Sequence, residues 1–260
     1  MIDISGNLFI STACRDAAEL ARSHGFGLEL VEFCTAFNMD TEFEIWDDRV
    51  RRRMSGVDRF IFHAPFNELC PAAIDPMIIE IAKKRYAQAY ALMKTYGIDT
   101  MIAHSGFMPV LYDEGWFTEH SILFWREFLK DKPDNFKLYI ENVFEPNPEL
   151  LREIVSAIND KRFLLCLDIG HAANSNGGIS AAEWIRRTLP FLGHVHLHNN
   201  DGSRDAHNAL DDGVIDIAEV INGIAETAPD VTFTIEARDG ESSVEWLITN
   251  GFINSKGDGK

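Results

Sequence analysis

Short apolar runs alternate along the chain with longer amphipathic segments. Eight of the short runs are nearly continuous in apolar residues, which is typical of strands covered on both faces in a parallel sheet. These strands are predicted at residues 7–11, 28–33, 59–64, 100–105, 137–142, 163–168, 194–199 and 232–237. Each run is followed by a segment with the three- and four-residue spacing of a helix, so the pattern repeats as strand and then helix.

The clearest helix is predicted at residues 75–96. Apolar residues such as Ile78, Ala82 and Tyr86 recur there at helical spacing, and Gly97 follows as a C-cap. Further helices are predicted at about residues 14–24, 41–54, 116–130, 147–159, 180–189, 215–227 and 241–250. Eight strands that alternate with eight helices predict an α/β protein built as a single (β/α)8 TIM barrel.

The chain shows no linker-like or low-complexity segment, so residues 1–260 are predicted to form one barrel domain. Barrels of about 250 residues are commonly single domains. An open, doubly wound sheet is the alternative fold. The sequence contains neither GxGxxG nor GxxxxGK[ST], the phosphate-binding motifs that would favour that alternative.

Composition narrows the choice of partners. The formal net charge is −17, which disfavours binding to polyanions such as nucleic acid. No segment approaches the ~20 apolar residues of a membrane span, and the N-terminus lacks the basic region of a signal peptide. The four cysteines form no CxxC pair, as is usual for reduced thiols. We therefore expect a cytoplasmic protein with a small-molecule substrate and no membrane partner.

Charged and imidazole side chains stand at the ends of six consecutive predicted strands. In a (β/α)8 barrel these strand ends form the face that carries the active site. The residues are His63, His104, Glu141, Asp168 with His171, His196 with His198, and Glu236. Because unpaired charges are costly to bury, such a cluster must pair internally or bind metal. A mixture of His, Asp and Glu suits zinc, manganese or iron.

The seventh predicted strand carries three alternating histidines. His194, His196 and His198 are separated by Val195 and Leu197, so the histidines share one side of the strand. If the two apolar residues pack against the helices, the histidines point into the barrel. We predict His196 as the metal ligand, with His198 as the second choice and His194 as a structural residue.

These residues resemble the xylose isomerase-like TIM-barrel superfamily, also called AP endonuclease family 2, which includes endonuclease IV, sugar isomerases and epimerases, and inosose dehydratases. The resemblance covers essentially the whole chain, and its most specific part is "LDIGH" followed by "HVHLHNNDGSRDAH". The similarity to the trinuclear zinc phosphodiesterases of the endonuclease IV type implies three metal sites. They are implied at His63, His104 and Glu141; at Glu141, Asp168, His196 and Glu236; and at His171, Asp205 and His207.

The sequence also departs from the phosphodiesterases of that type. They usually have Asn-Asp directly after "HL" on strand seven, where this chain has "HNND", and a glycine at the position of Asp211. Forms that bind DNA carry basic and aromatic loops, whereas this chain is strongly acidic. The resemblance therefore implies a small-molecule phosphoester rather than DNA, and the superfamily includes enzymes that cleave a phosphodiester in cobamides.

Two activities follow from this resemblance. The leading hypothesis is phosphoester hydrolysis by up to three zinc ions, with Glu141 orienting the attacking water and the ion at His171 neutralising phosphate. The alternative is isomerisation or epimerisation of a sugar or polyol with a single ion, for which manganese, cobalt or iron would also serve. There Glu141 and Glu236 would move protons and His171 would contact the substrate. The second glutamate of the epimerases would fall at Asn147, which counts against this alternative.

Other polar residues of the predicted mouth are expected to bind substrate under either hypothesis. They are Glu32, Asn67, His198 and Arg238. A third hypothesis is a barrel that binds metal or sugar without catalysis. The number of bound ions separates the two activities, because three ions favour the hydrolase and one favours the isomerase.

Overall fold

The eight strands close into a parallel barrel in which every strand pairs with its neighbours in sequence. The computed structural model describes residues 2–175 and 177–254. The strands are β1 (Leu8–Ser11), β2 (Gly27–Leu30), β3 (Phe60–His63), β4 (Thr100–His104), β5 (Lys137–Glu141), β6 (Phe163–Asp168), β7 (Leu192–Leu197) and β8 (Thr232–Ile235). Pairing of β1 with β8 closes the barrel, which confirms the predicted fold class.

Helices lie between the strands as predicted. They are α1 (Ala17–His24), α2 (Ala36–Asp40), α3 (Phe43–Met54), α4 (Pro76–Thr95), α5 (Glu114–Leu129), α6 (Glu149–Ile158), α7 (Ile169–Asn174), α8 (Ala181–Thr188), α9 (Ile217–Ala225) and α10 (Gly240–Thr249). The sequence pattern did not predict the short helices α2 and α7. Asp75 caps the start of α4 by accepting the Met77 N–H, and Gly97, with φ of 72°, follows its end.

β2 and β7 differ most from their predicted bounds. β2 is shorter, because the Val31 N–H donates to the hydroxyl of Thr12 rather than to a strand partner, and Glu32 therefore lies in the loop. β7 begins two residues earlier than predicted. The chain leaves β7 before Asn199, which forms an isolated antiparallel bridge with Asn208.

The strands divide apolar residues between two sides of the barrel wall. Val195 and Leu197 belong to the large core between the sheet and the helices, whereas His194, His196 and His198 are fully buried on the other side. A small apolar cluster fills the interior toward the N-terminal ends of the strands. It comprises Phe9, Ile61, Ile102 and Cys166, with Tyr139 packed against it. Four of these five residues lie two positions before a predicted metal ligand, so the interior changes from apolar to polar toward the mouth.

Trp125 of α5 is a large side chain of the outer core. Only 1% of its surface is exposed, and its ring lies 5.0 Å from Tyr86 and 5.9 Å from Phe163. We expect Trp125→Ala to lower the free energy of unfolding by about 3–5 kcal/mol, because the cavity cannot close fully. Trp116→Ala, on the same helix, is the matched control. Trp116 is 38% exposed, and the hydrogen bond that its indole N–H donates to the Ala72 carbonyl contributes about 1 kcal/mol. Equal losses in urea unfolding would contradict this assignment of the core.

All four cysteines are free thiols; Cys14, Cys70 and Cys166 are buried and Cys34 is half-buried. In the part of the chain that the structure describes, no helix combines the length and the apolar character needed to cross a membrane.

Candidate metal centre

The mouth of the barrel gathers all the residues that the resemblance implied as metal ligands. Within each group, one potential ligand atom from each residue lies within 4.8 Å of the others. The groups are His63, His104 and Glu141; Glu141, Asp168, His196 and Glu236; and His171, Asp205 and His207. Because β3 to β8 end at the same face of a closed barrel, residues far apart in sequence meet there.

Glu141 lies between two of the groups, and its two carboxylate oxygens face different histidines. Oε2 lies 3.2 Å from Nε2 of His63 and 3.3 Å from Nε2 of His104. Oε1 lies 3.4 Å from Nδ1 of His196 and 3.4 Å from Nδ1 of His171. A carboxylate with one oxygen toward each group has the arrangement of a ligand that bridges two ions.

His196 is the centre of the second group. Its Nδ1 lies 3.4 Å from Glu141, 3.6 Å from Asp168 and 3.3 Å from Glu236, in each case measured to a carboxylate oxygen. The side chain of His196 is fully buried, and Nδ1 has no hydrogen-bond partner among the described residues. A buried nitrogen without a partner, facing three carboxylates, fits a divalent cation.

The third group lies nearer the solvent. Nε2 of His171 lies 3.3 Å from Oδ2 of Asp205, and Nε2 of His207 lies 2.9 Å from the same oxygen. His207 has a φ of 49°, the left-handed region that a residue with a side chain seldom adopts, and such strain is often found at functional sites. Burial lowers the pKa of His207, but Asp205 and Glu236 outweigh it and raise the pKa to about 9.

Backbone carbonyls fix the protonation of three ligand histidines. A carbonyl only accepts hydrogen bonds, so the Nδ1 atom beside it must carry the proton. Nδ1 lies 3.0 Å from the Ala64 oxygen in His63, 2.9 Å from the Asn142 oxygen in His171, and 2.9 Å from the Glu236 oxygen in His207. In the neutral form of each of these histidines, Nε2 is therefore the nitrogen without a proton and faces the mouth, as metal ligation requires.

The electrostatics of the centre favour a bound cation. Burial raises the pKa of Glu141, but His104 and His196 outweigh it and hold the pKa well below its usual range. Burial raises the pKa of Glu236, and the neighbouring carboxylate of Glu141 adds to that rise. Carboxylates packed this closely repel one another, and divalent ions between them would relieve the repulsion.

The centre opens into a cavity of about 520 Å³. Its lining combines candidate ligands with apolar side chains, which include Val31, Phe66, Val143 and Phe144. The Phe66 ring stacks on His104 at a centroid distance of 4.1 Å, and Phe144 is 61% exposed. No Lys or Arg belongs to the lining that the described residues form.

The predicted substrate-binding residues stand apart from this cavity. Glu32 accepts hydrogen bonds from the Thr12 hydroxyl and from Arg53. Asn67 is exposed and accepts a hydrogen bond from the Thr35 hydroxyl. None of Glu32, Asn67, Arg238 and His198 belongs to the described lining of the cavity. The side chain of Arg238 is exposed. The substrate-binding roles of all four residues stay predictions.

His198 supports the centre from behind. Its Nε2 lies 3.0 Å from Oδ1 of Asp168, and its ring stacks on His207 at a centroid distance of 4.0 Å. A Cβ atom at Gly170 would come within 1.9 Å of the His198 ring, so only glycine fits at that position of "LDIGH". The side chain of His198 is fully buried.

Sequence reasoning missed two residues of the centre. Glu29 is fully buried inside the barrel, where its Oε1 lies 3.2 Å from Nε2 of His196. Asn142 donates to the Asp168 carbonyl and accepts the Asp168 N–H, which fixes the end of β6. The available signal for Glu29 was a charged residue in the middle of an otherwise apolar strand.

Comparisons with known proteins agree with this architecture. The profile of the xylose isomerase-like TIM barrel family matches residues 9–250. An uncharacterised protein of Methanocaldococcus jannaschii, MJ1311, is 26% identical over 201 residues, which cover 71% of this chain. The chain spans 66% of the length of that relative, just under two thirds.

Two solved structures share the fold. A D-tagatose 3-epimerase-like protein superimposes with a TM-score of 0.75 at 22% identity, covering 95% of this chain and 96% of its own. The TTHB071 protein from Thermus thermophilus, in a structure soaked with ZnCl2, gives a TM-score of 0.71 at 22% identity. That match covers 94% of this chain and 97% of TTHB071.

Proposed function

The chain belongs to the xylose isomerase-like TIM barrel family, and from that premise we propose that it is a metal-dependent hydrolase of a small-molecule phosphoester. The position of Glu141 carries the proposal. Its oxygens face two ligand groups, and the third group, with His171, adjoins the same carboxylate. A centre for one ion needs only the second group, so the additional histidines and Asp205 favour several ions.

The donor set suits zinc. Imidazoles and carboxylates are its common nitrogen and oxygen ligands, and manganese, cobalt and iron accept similar sets. The first ion would be held by His63, His104 and Glu141, the second by Glu141, Asp168, His196 and Glu236, and the third by His171, Asp205 and His207. The partnerless Nδ1 of His196 supports this assignment.

The cavity favours a small substrate with one compact negative charge. Without Lys or Arg in its described lining, bound cations are the main source of positive charge. The apolar part of the lining, which includes Phe66 and Phe144, offers surface for a non-polar or planar part of the molecule. The net charge of −17 disfavours long polyanions. Together these features support a small phosphodiester and count against DNA.

The catalytic roles fall on side chains that surround the expected position of the phosphate. When bound, the ions supply Lewis acidity and positive charge. Glu141 orients the attacking water. Glu236 lines the opposite side of the cavity, and His171 lines the side that faces the solvent. Asn142 fixes Asp168 behind them, and the stacked Phe66 keeps water from His104. Fixed positions of this kind lower the reorganisation needed at the transition state.

A single-ion sugar isomerase or epimerase is the second candidate. The similarity to a D-tagatose 3-epimerase-like protein favours this candidate. The second group also favours it, because its four residues are enough to hold one ion. In this case Glu141 and Glu236 move protons and His171 contacts the substrate. Glu145 does not replace the missing second glutamate. Its carboxylate accepts hydrogen bonds from the Ser105 hydroxyl and the Val143 N–H, and it does not belong to the described lining of the cavity.

A substrate panel separates the two candidates. Zinc-loaded protein is incubated with bis(4-nitrophenyl) phosphate and 4-nitrophenyl phosphate, and separately with ketohexoses in deuterated water. We expect hydrolysis of the diester that a chelator abolishes, and no incorporation of deuterium at carbon. Deuterium exchange without release of nitrophenol would replace the hydrolase proposal by the isomerase.

A further inference from the structure

Glu29 is a buried carboxylate to which neither candidate reaction assigns a role. It lies in the middle of β2, its side chain points into the barrel, and none of its surface is exposed. Oε2 accepts a hydrogen bond of 2.6 Å from the Thr234 hydroxyl. Oε1 lies 3.2 Å from Nε2 of His196, and neither of these two buried atoms has another hydrogen-bond partner among the described residues. Burying a charged group in this way costs free energy unless the group pairs with or hydrogen-bonds a neighbouring side chain.

His196 differs from three of the other ligand histidines in how its ring is held. His63, His171 and His207 turn Nδ1 to a backbone carbonyl and Nε2 to the mouth. His196 is reversed, with Nδ1 toward the carboxylates of the second group and Nε2 toward Glu29. Glu29 therefore occupies the place that a backbone carbonyl occupies behind the other three rings.

We propose that Glu29 is a positioning residue for His196. Its carboxylate accepts the proton of Nε2 and so leaves Nδ1 unprotonated toward the second metal site. Carboxylates behind metal-bound histidines fix the ring and its tautomer in this way. The inference rests on the metal centre of the proposed function and adds a residue outside the three ligand groups described above.

A second metal-binding geometry at Glu29 is disfavoured by the contacts around it. Glu29, His194 and His196 are close enough to form a group of potential ligands. Both ring nitrogens of His194 are already engaged, at 2.6 Å from the Thr232 hydroxyl and 2.8 Å from the Thr234 hydroxyl. Oε2 of Glu29 is also taken by Thr234. These contacts leave too few free atoms for an additional ion.

The test compares two buried Glu→Gln substitutions. Glu29→Gln keeps the size of the side chain and weakens the acceptor for His196. Glu145→Gln is the matched control, because Glu145 is equally buried but bonds Ser105 and Val143. Zinc affinities are measured by competition with a chromophoric chelator. We expect Glu29→Gln to weaken the affinity for one zinc ion about 10–100-fold. The affinities for the other ions, and all affinities of Glu145→Gln, should stay close to those of the wild type.

Spectroscopy supplies readouts that a merely structural role would not move. In cobalt-loaded protein, Glu29→Gln should shift the visible absorption of one ion, whereas Glu145→Gln should leave the spectrum unchanged. In the zinc-loaded wild type, ¹⁵N NMR of the imidazoles should show His196 protonated at Nε2, the nitrogen that faces Glu29, and without a proton at Nδ1.

The outcomes separate this inference from the proposed function. Wild-type protein that binds no metal would overturn both. Wild-type protein that binds metal, with unchanged affinities and cobalt spectrum in Glu29→Gln, would overturn the role of Glu29 alone. Protonation of His196 at Nδ1 would also overturn that role. So would a Glu29→Gln protein that keeps an ion at each of the three groups and loses an additional ion bound elsewhere.

Discussion

Replacement of Glu141 by glutamine is expected to lower kcat/KM for phosphodiester hydrolysis by about 1,000-fold or more. Four histidines surround this carboxylate: Nε2 of His63 and His104 lie at 3.2 and 3.3 Å, and Nδ1 of His171 and His196 both lie at 3.4 Å. A glutamine offers one acceptor oxygen and no charge, so it cannot bridge two ions. Elemental analysis of Glu141→Gln should show at least one ion fewer per chain.

Glu149→Gln provides the control for this substitution. Glu149 is exposed at the start of α6 and pairs with Arg152 and Arg187. Exposed pairs of this kind contribute at most about 1 kcal/mol, so the control should keep wild-type kinetics and metal content. A Glu141→Gln enzyme with near wild-type kcat/KM and full metal content would exclude a bridging role for Glu141.

Removal of the metal ions is expected to abolish hydrolysis and to lower the melting temperature. Folded protein binds the ions and the unfolded chain lacks the assembled groups. A free ion concentration of 1,000 times Kd therefore stabilises the fold by about 4 kcal/mol per site. For a chain of this size, one such site corresponds to a change in Tm of roughly 10 °C. The negative charges of Glu141 and Asp168 also lose their cation when the centre is emptied.

The experiment treats purified protein with a chelator, removes the chelator, and adds single metals back. Zinc should restore both activity and Tm. Magnesium should not, because it prefers oxygen ligands over imidazoles. Glu141→Gln should show a smaller shift in Tm on chelation than wild type. Full activity and an unchanged Tm after complete removal of the ions would contradict a catalytic metal centre.

The sequence was informative where a simple periodicity carries the information. Continuous apolar runs predicted all eight strands, and alternation on β7 placed Val195 and Leu197 against the helices. Polar residues at strand ends converged because a closed parallel barrel has one C-terminal face. The grouping into three sites came from the resemblance, and the distances around Glu141 agree with that grouping.

Other features depend on contacts that no local pattern encodes. Glu32 lies in the turn two residues after the end of β2, and its carboxylate is engaged by Thr12 and Arg53. His198 shares the side of His196, but its ring is buried behind Asp168. The relation between Glu29 and His196 joins two strands that are not neighbours in the sheet, so it emerges only when the barrel closes.

A centre for three ions is the basis of the proposed hydrolase, and a count of metal per chain is its sharpest test. Protein purified without chelators is analysed for elemental content, and crystals of the same preparation are examined by anomalous diffraction at the absorption edge of the metal found. We expect about three ions per chain, rich in zinc, one at each ligand group. A single ion at Glu141, Asp168, His196 and Glu236 would contradict the three-ion centre and favour the isomerase, and an absence of metal even after reconstitution would contradict both activities.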